Sequence, residues 1–168
     1  MSSRKGWHLI FIMEEKICSF FGHREINLTD ELYAETANAI EQALDFGCRV
    51  FYFGGYGEFD ALCYQILTKF KKERPNLSLH RVYCVAQERY LRKKVRYFNP
   101  EDYDEIKYLM PAFEGWYRSI YFRNCAMIDD SDFLLFYAEK RENSGAYKAY
   151  KYAARKKDKK TLNLWTEK

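Results

Sequence analysis

Residues 51–62, FYFGGYGEFDAL, pass from an apolar run through Gly54, Gly55 and Gly57 into a segment with apolar residues at helical spacing. Glycine loses more conformational freedom on folding than any other residue, so this clustering points to a need that other residues do not meet. The turn either requires dihedrals that a side chain forbids, or something approaches its backbone closely. A buried strand that hands over to a helix in this way is the repeating unit of a parallel α/β sheet.

The rest of the chain repeats the unit. KICSFFG (16–22) reads as a buried strand closed by glycine. In LTDELYAETANAIEQALDFG (28–47), Thr29 stands as an N-cap and acids fill the first turn. Leu32, Ile40, Ala43 and Leu44 share one face, and Gly47 marks the C-terminal cap. CRVFYF (48–53) is the second strand. Phe59, Leu62, Ile66 and Phe70 then recur at helical spacing until Pro75 stops the helix.

SLHRVYCV (78–85) reads as the third strand, 116–130 as a helix, 132–138 as a strand, 144–157 as a helix and 161–165 as a strand. Residues 86–115 form a long irregular stretch rich in Tyr, Arg and acids, and loops of this length inside a compact domain tend to be functional. Right-handed crossovers between about five mainly parallel strands give an α/β, doubly wound sheet with helices on both faces. Ligands in such sheets sit beyond the carboxyl ends of the strands. Residues 14–168 are expected to form this single domain, with 1–13 an N-terminal extension or an extra edge strand.

Hydrophobic residues make up 48% and charged residues 31% of the 168, which places the chain among soluble globular proteins. The segment GWHLIFIM (6–13) is too short to span a membrane. A net charge of +4, partly from RKKDKK (155–160), is small for a nucleic-acid binder and disfavours that partner. Cys18, Cys48, Cys63, Cys84 and Cys125 show no CxxC pattern, so buried free thiols in a reducing cytoplasm are expected, with no metal and no cofactor. Tyr90, Tyr97, Tyr103 and Tyr108 in the long stretch are available to stack on a base, to pack the stretch onto the sheet, or to form a homo-oligomer contact.

Three turns carry the functional expectation. In the 51–62 turn, unpaired backbone N–H groups at a helix start favour an anion, and the bare Gly54 and Gly55 would admit a phosphate or ribose. By this reading a bulky side chain at Gly55 blocks the ligand and spares the fold. FFGHRE (20–25) sets Gly22 beside His23 and Arg24, and ENSGAYK (142–148) sets Ser144 and Gly145 at another helix start. The topology gathers all three at one sheet edge. The spacing of GGYGEF does not match GxGxxG, which disfavours ordinary dinucleotide-dehydrogenase binding. A plain tight turn remains the alternative for each glycine.

Taken in order, FFGHRE, FYFGGYGEFDAL, YDE (103–105), YFRNCAMIDDSDFLLFY (121–137) and SGAYKAYKYAARKKDKKTLNLW (144–165) resemble the YpsA-like branch of the SLOG superfamily. That superfamily is Rossmann-like, is related to the LOG phosphoribohydrolases and to the DNA-processing protein DprA, and binds nucleotides or nucleotide-derived signals. The resemblance implies ligand contacts from Gly22, His23, Arg24, Gly54, Gly55, Gly57, Asp60, Arg123, Ser144 and Gly145. It also implies that Arg123 matches an arginine catalytic in the LOG enzymes. Those enzymes carry a glutamate after their last glycine-rich loop, where this chain has Tyr147 and Lys148.

Glycosidic hydrolysis needs a carboxylate near the anomeric carbon, and Glu58 and Asp60 are the candidates beside the second turn. Acids in a helix's first turn also complement its dipole, so both have a structural alternative. Arg123 lies on a mostly apolar helix, either facing a phosphate or carboxylate or paired with Asp129 or Asp130. The sequence thus supports a nucleotide-derived ligand bound by a sensor or binding module. A nucleoside-phosphate N-glycoside hydrolase is the alternative, and single-stranded nucleic-acid binding the second.

Overall fold

A computed structural model describes residues 14–92, 98–110 and 118–167. Residues 1–13 and Tyr97 lie outside the described residues, and with them the reading of 1–13 as an extension or edge strand. The strands are β1 (Lys16–Gly22), β2 (Cys48–Phe53), β3 (His80–Cys84), β4 (Glu105–Lys107), β5 (Phe133–Tyr137) and β6 (Lys160–Asn163). The helices are α1 (Asp30–Asp45), α2 (Glu58–Glu73), α3 (Ser119–Asp130) and α4 (Gly145–Ala153). All strand pairs are parallel, in the order β4-β3-β2-β1-β5-β6. The fold is α/β with a doubly wound, Rossmann-like arrangement.

Side-chain alternation along the strands builds two cores. Cys18 and Phe20 of β1, Phe51 and Phe53 of β2, and Phe133 and Leu135 of β5 face α1 and α2. The intervening Phe21, Tyr52, Leu134 and Phe136 face α3 and α4. Because both faces are covered, the strands read as unbroken apolar runs. Each fully buried phenylalanine contributes about 1.5–3 kcal/mol of transfer free energy. Local signals set the helix ends as expected. Thr29 Oγ1 accepts from Leu32 N at 3.1 Å, and Gly47 follows α1 with φ 104°.

The sheet has six strands, in line with the expectation of about five, and β4 is the strand the sequence did not show. β4 lies within the stretch expected to be irregular, and its three residues are too short to show any periodicity. Tertiary contacts hold it in place. Asp104 accepts from the backbone N–H of Arg81 and from its guanidinium Nε, both at 2.9 Å, and Lys71 approaches it at 3.0 Å. These partners hold the Asp104 carboxyl well below the usual carboxylate range, against the opposing effect of its burial.

Tyr103, one of the rings left open between stacking and packing, packs. Its ring lies 5.1 Å from Tyr64, 5.5 Å from Phe53 and 5.7 Å from Tyr83. Tyr108 is exposed and donates to Glu88 Oε1 at 2.8 Å. No helix among the described residues is long and apolar enough to cross a membrane.

The chain runs outward from β1 through β2 and β3 to β4, then returns to β5 on the other side of β1. The loops after β1 and β5 therefore diverge, leaving a crevice at the carboxyl edge where such sheets hold ligands.

Asp104→Ala should speed amide hydrogen exchange across residues 104–107 by roughly tenfold or more, since a charge-assisted bond contributes about 1.5–3 kcal/mol before solvent screening. The amides of β1 should keep their protection. Uniform loss across the sheet would mean that the clamp supports the whole fold and not β4 alone.

Candidate functional site

A cleft of about 690 Å³ opens at this crevice, walled by the segments that follow β1, β2, β3 and β5. Its floor is set by Asp60, in the first turn of α2. The carboxylate lies under the glycine turn and accepts from Gly55 N at 2.8 Å, with the Gly54 and Tyr56 amides also turned to it. Burial pushes the Asp60 carboxyl up to about 6, against the lowering effect of the Gly55 amide and of Arg123. The expectation that these N–H groups point outward unpaired is therefore corrected. They face the chain's own anion, which fills the role expected of an external phosphate.

The glycines are likewise bound to intramolecular packing. A Cβ on Gly54 would lie 2.9 Å from Arg123 Nη2. On Gly55, with φ +74°, it would meet the Phe98 ring at 2.5 Å and the Tyr83 ring at 2.7 Å. The expectation that a bulky side chain at Gly55 spares the fold is overturned by those rings. Gly57, with φ +119°, would strike the Arg24 Cα at 2.8 Å, and Gly22 the Phe59 side chain at 2.3 Å. Gly145 alone of these has nothing within 4 Å.

Arg123 is 5% exposed and joins two loops. Its Nη1 donates to Gly54 O at 3.1 Å and Cys84 O at 2.7 Å, and its Nε to Asn124 Oδ1 at 3.0 Å. Pairing with Asp129 or Asp130 does not occur. Asp129 is held by Lys156 and Tyr152, and Asp130 accepts from Tyr52.

His23 links the β1 and β5 loops. Its Nε2 accepts from Glu139 N at 2.8 Å, so the ring proton sits on Nδ1, 3.2 Å from Ser144 Oγ, and donates to it. Burial lowers the His23 pKa, Arg141 lowers it further, and Glu139 opposes both. With Nε2 taken by a backbone amide, the ring is a neutral strut and no base for Ser144. The Ser144 hydroxyl in turn caps α4, accepting from Tyr147 N at 3.3 Å.

Gly22, His23, Arg24, Gly54, Gly55, Asp60, Arg123, Ser144 and Gly145 thus meet around one cleft. Gly57 and Glu58 stand outside its lining. Glu58 N donates to Arg24 O at 2.8 Å and its Oε2 accepts from Ile26 N at 2.7 Å, so Glu58 clasps the loop after β1. Sequence reasoning missed Tyr56, Tyr83, Phe98, Asn124, Arg141 and Asn143, which also line the cleft. Tyr56 carried a usable signal, an aromatic residue between two glycines in a turn. Tyr83 and Phe98 carried none, since each reads as ordinary core.

Among the described residues no group of His, Cys, Asp and Glu side chains is placed to hold a metal ion. No protein-family model matches the chain, and no curated protein matches it in sequence.

Two measurements probe this geometry. The unfolded Asp60 ionises near the ordinary aspartate value and the folded one near 6, so between these the native state binds the extra proton. Stability relative to Asp60→Asn should therefore fall by about 2–3 kcal/mol as pH rises from about 4 to about 6, then level off. Urea denaturation of both proteins across pH reads this; a constant difference would mean an ordinary Asp60.

Urea denaturation also separates the glycines. Gly22→Ala and Gly55→Ala should each lose about 1–3 kcal/mol through overpacking, while Gly145→Ala stays within about 0.5 kcal/mol. Equal tolerance at all three positions would refute the packing account.

Proposed function

We propose that this protein binds a nucleotide or nucleotide-derived ligand, ADP-ribose-like or a nucleoside phosphate, in the cleft at the carboxyl edge of the sheet. It acts there as a sensor or ligand-binding module. The observation that carries the reading is the polarity of the cleft. Its β2–β3 side bears the rings of Tyr56, Tyr83, Tyr90 and Phe98, with the Arg24 guanidinium of the β1 loop over Tyr56, and its β1–β5 side bears Asn143, Ser144, Arg141 in its pair with Glu139, and the acid Glu25. A ligand with a flat apolar end and an anionic end matches both halves, and the volume lies in the range of small-molecule sites. The open face of Gly145 at the start of α4 leaves room for a phosphate on that side.

Membership of the YpsA-like branch of the SLOG superfamily belongs to the same reading, resting on the ordered motifs and on their convergence at this edge. Binding is favoured over hydrolysis by the carboxylates at hand. The segment 143–148 contains no acid, and Asp60 is held by the turn's own amides.

Isothermal titration calorimetry with adenosine, ribose 5-phosphate, AMP and ADP-ribose tests the proposal. The phosphate-bearing nucleotides should bind, and Arg141→Ala should weaken them roughly tenfold, the effect of losing one charge-assisted contact. Failure of every nucleotide to bind would sink it. Chromatography of AMP incubated with the protein should show no free adenine. Fast release abolished in Asp60→Asn would replace the binding module with a hydrolase.

A further inference from the structure

We propose that Tyr56 is the face against which the base of the ligand stacks, and that the Arg24 guanidinium closes over the other side of that base. This rests on the nucleotide-binding reading above and assigns the two ends of the ligand within the cleft.

Tyr56 sits in the turn between β2 and α2, between Gly55 at φ 74° and Gly57 at φ 119°. Those backbone conformations favour glycine, and they set the path of the turn on either side of the tyrosine. The side chain is 44% exposed although it lines the cleft, whereas Tyr83 in the same wall is 1% exposed. Tyr83 is therefore committed to packing, with its ring 4.7 Å from Phe98, and offers no free face. Tyr56 is open to solvent at the cleft, with the mobile end of the Arg24 side chain over its ring. Its ring meets Tyr90 at 6.2 Å with the planes tilted by 39°, an open pair in place of a closed stack.

The second observation is what already lies on that ring. The Arg24 guanidinium carbon is 4.7 Å from the Tyr56 ring centroid, and Arg24 itself is exposed on the loop after β1. A planar cation over an aromatic face shows that a flat, polarisable group fits there. A base can enter only if the guanidinium lifts by about the thickness of one ring. The main chain of Arg24 stays anchored, since its carbonyl accepts from Glu58 N at 2.8 Å. Its side chain is long and solvated, so the lifting motion is a change of rotamer. The base then lies between tyrosine and guanidinium, a sequence-tolerant mode of base recognition.

The remaining groups fit this orientation. With the base on Tyr56, the sugar crosses the mouth above Gly54. The phosphate reaches Ser144, Gly145 and Arg141 at the α4 side, where a Cβ at Gly145 would still find open space.

The test compares AMP with ribose 5-phosphate, which lacks the base, by calorimetry on wild type, Tyr56→Ala and Tyr56→Phe. Tyr56→Ala should weaken AMP binding roughly tenfold or more and leave ribose 5-phosphate unchanged, the loss expected for one stacked base. Tyr56→Phe should keep most of the AMP affinity, because the ring face and not the hydroxyl makes the contact. In NMR spectra, the Tyr56 ring signals, assigned by their absence in Tyr56→Phe, should shift upfield with AMP and stay in place with ribose 5-phosphate. Unchanged AMP affinity in Tyr56→Ala, or equal loss of both ligands, would overturn the stacking face while leaving nucleotide binding intact. If wild type binds neither AMP nor ADP-ribose, the nucleotide reading fails and the stacking face fails with it.

Discussion

The buried carboxylate of Asp60 organises the carboxyl edge of this sheet. It lies at the amino end of α2, where the helix dipole and the amides of the preceding turn favour negative charge. Because Gly54 and Gly55 carry no side chains, the turn over it also leaves room for Arg123, Tyr83 and Phe98. Arg123 completes the arrangement from α3, gripping the Gly54 and Cys84 carbonyls, so the ends of β2 and β3 are fixed relative to each other. A carboxylate, two glycines and one guanidinium thus form a polar floor at the carboxyl edge. Burial works against the charge on Asp60, and the amides and Arg123 oppose that effect without cancelling it.

On this floor the cleft has two unlike walls, and each has its own support. The aromatic side leans on the segment after β3, which Tyr103 pins against Phe53, Tyr64 and Tyr83. The polar side depends on His23, a neutral strut between the β1 and β5 loops whose tautomer is set by the Glu139 amide. Protonation of His23 would set a second N–H against that amide. Because its pKa is lowered on folding, the strut contributes stability above the ordinary histidine range, and that contribution is lost as pH falls. The β1–β5 wall is accordingly the acid-sensitive half of the cleft.

Glu58 and Asp60 show how neighbouring acids take different roles. They are two residues apart in the first turn of α2, so their side chains point in different directions. Asp60 points under the glycine turn, and Glu58 points to the backbone of the loop after β1, accepting from Ile26 N. Both stabilise loops that line the cleft, and Glu58 does so from outside it.

Most of the architecture was legible in the chain itself. Strands buried on both faces read as apolar runs, and capping by Thr29, the stop at Pro75 and the turn glycines mark the element ends through local physics. The meeting of the three loops followed from the parallel strands of βαβ units, whose carboxyl ends share one edge. The short strand β4 was not legible, because three residues carry no period and their place comes from Arg81 and Asp104. Nor was the direction of the glycine-turn amides, since a sequence does not reveal whether a carboxylate five residues on will swing beneath the turn. The sequence by itself determined that the chain forms a doubly wound sheet with glycine turns at one edge. Only the tertiary structure decided that those glycines make room for Arg123, Tyr83, Phe98 and the loop after β1, because close approach between distant segments is a property of packing and not of local propensity.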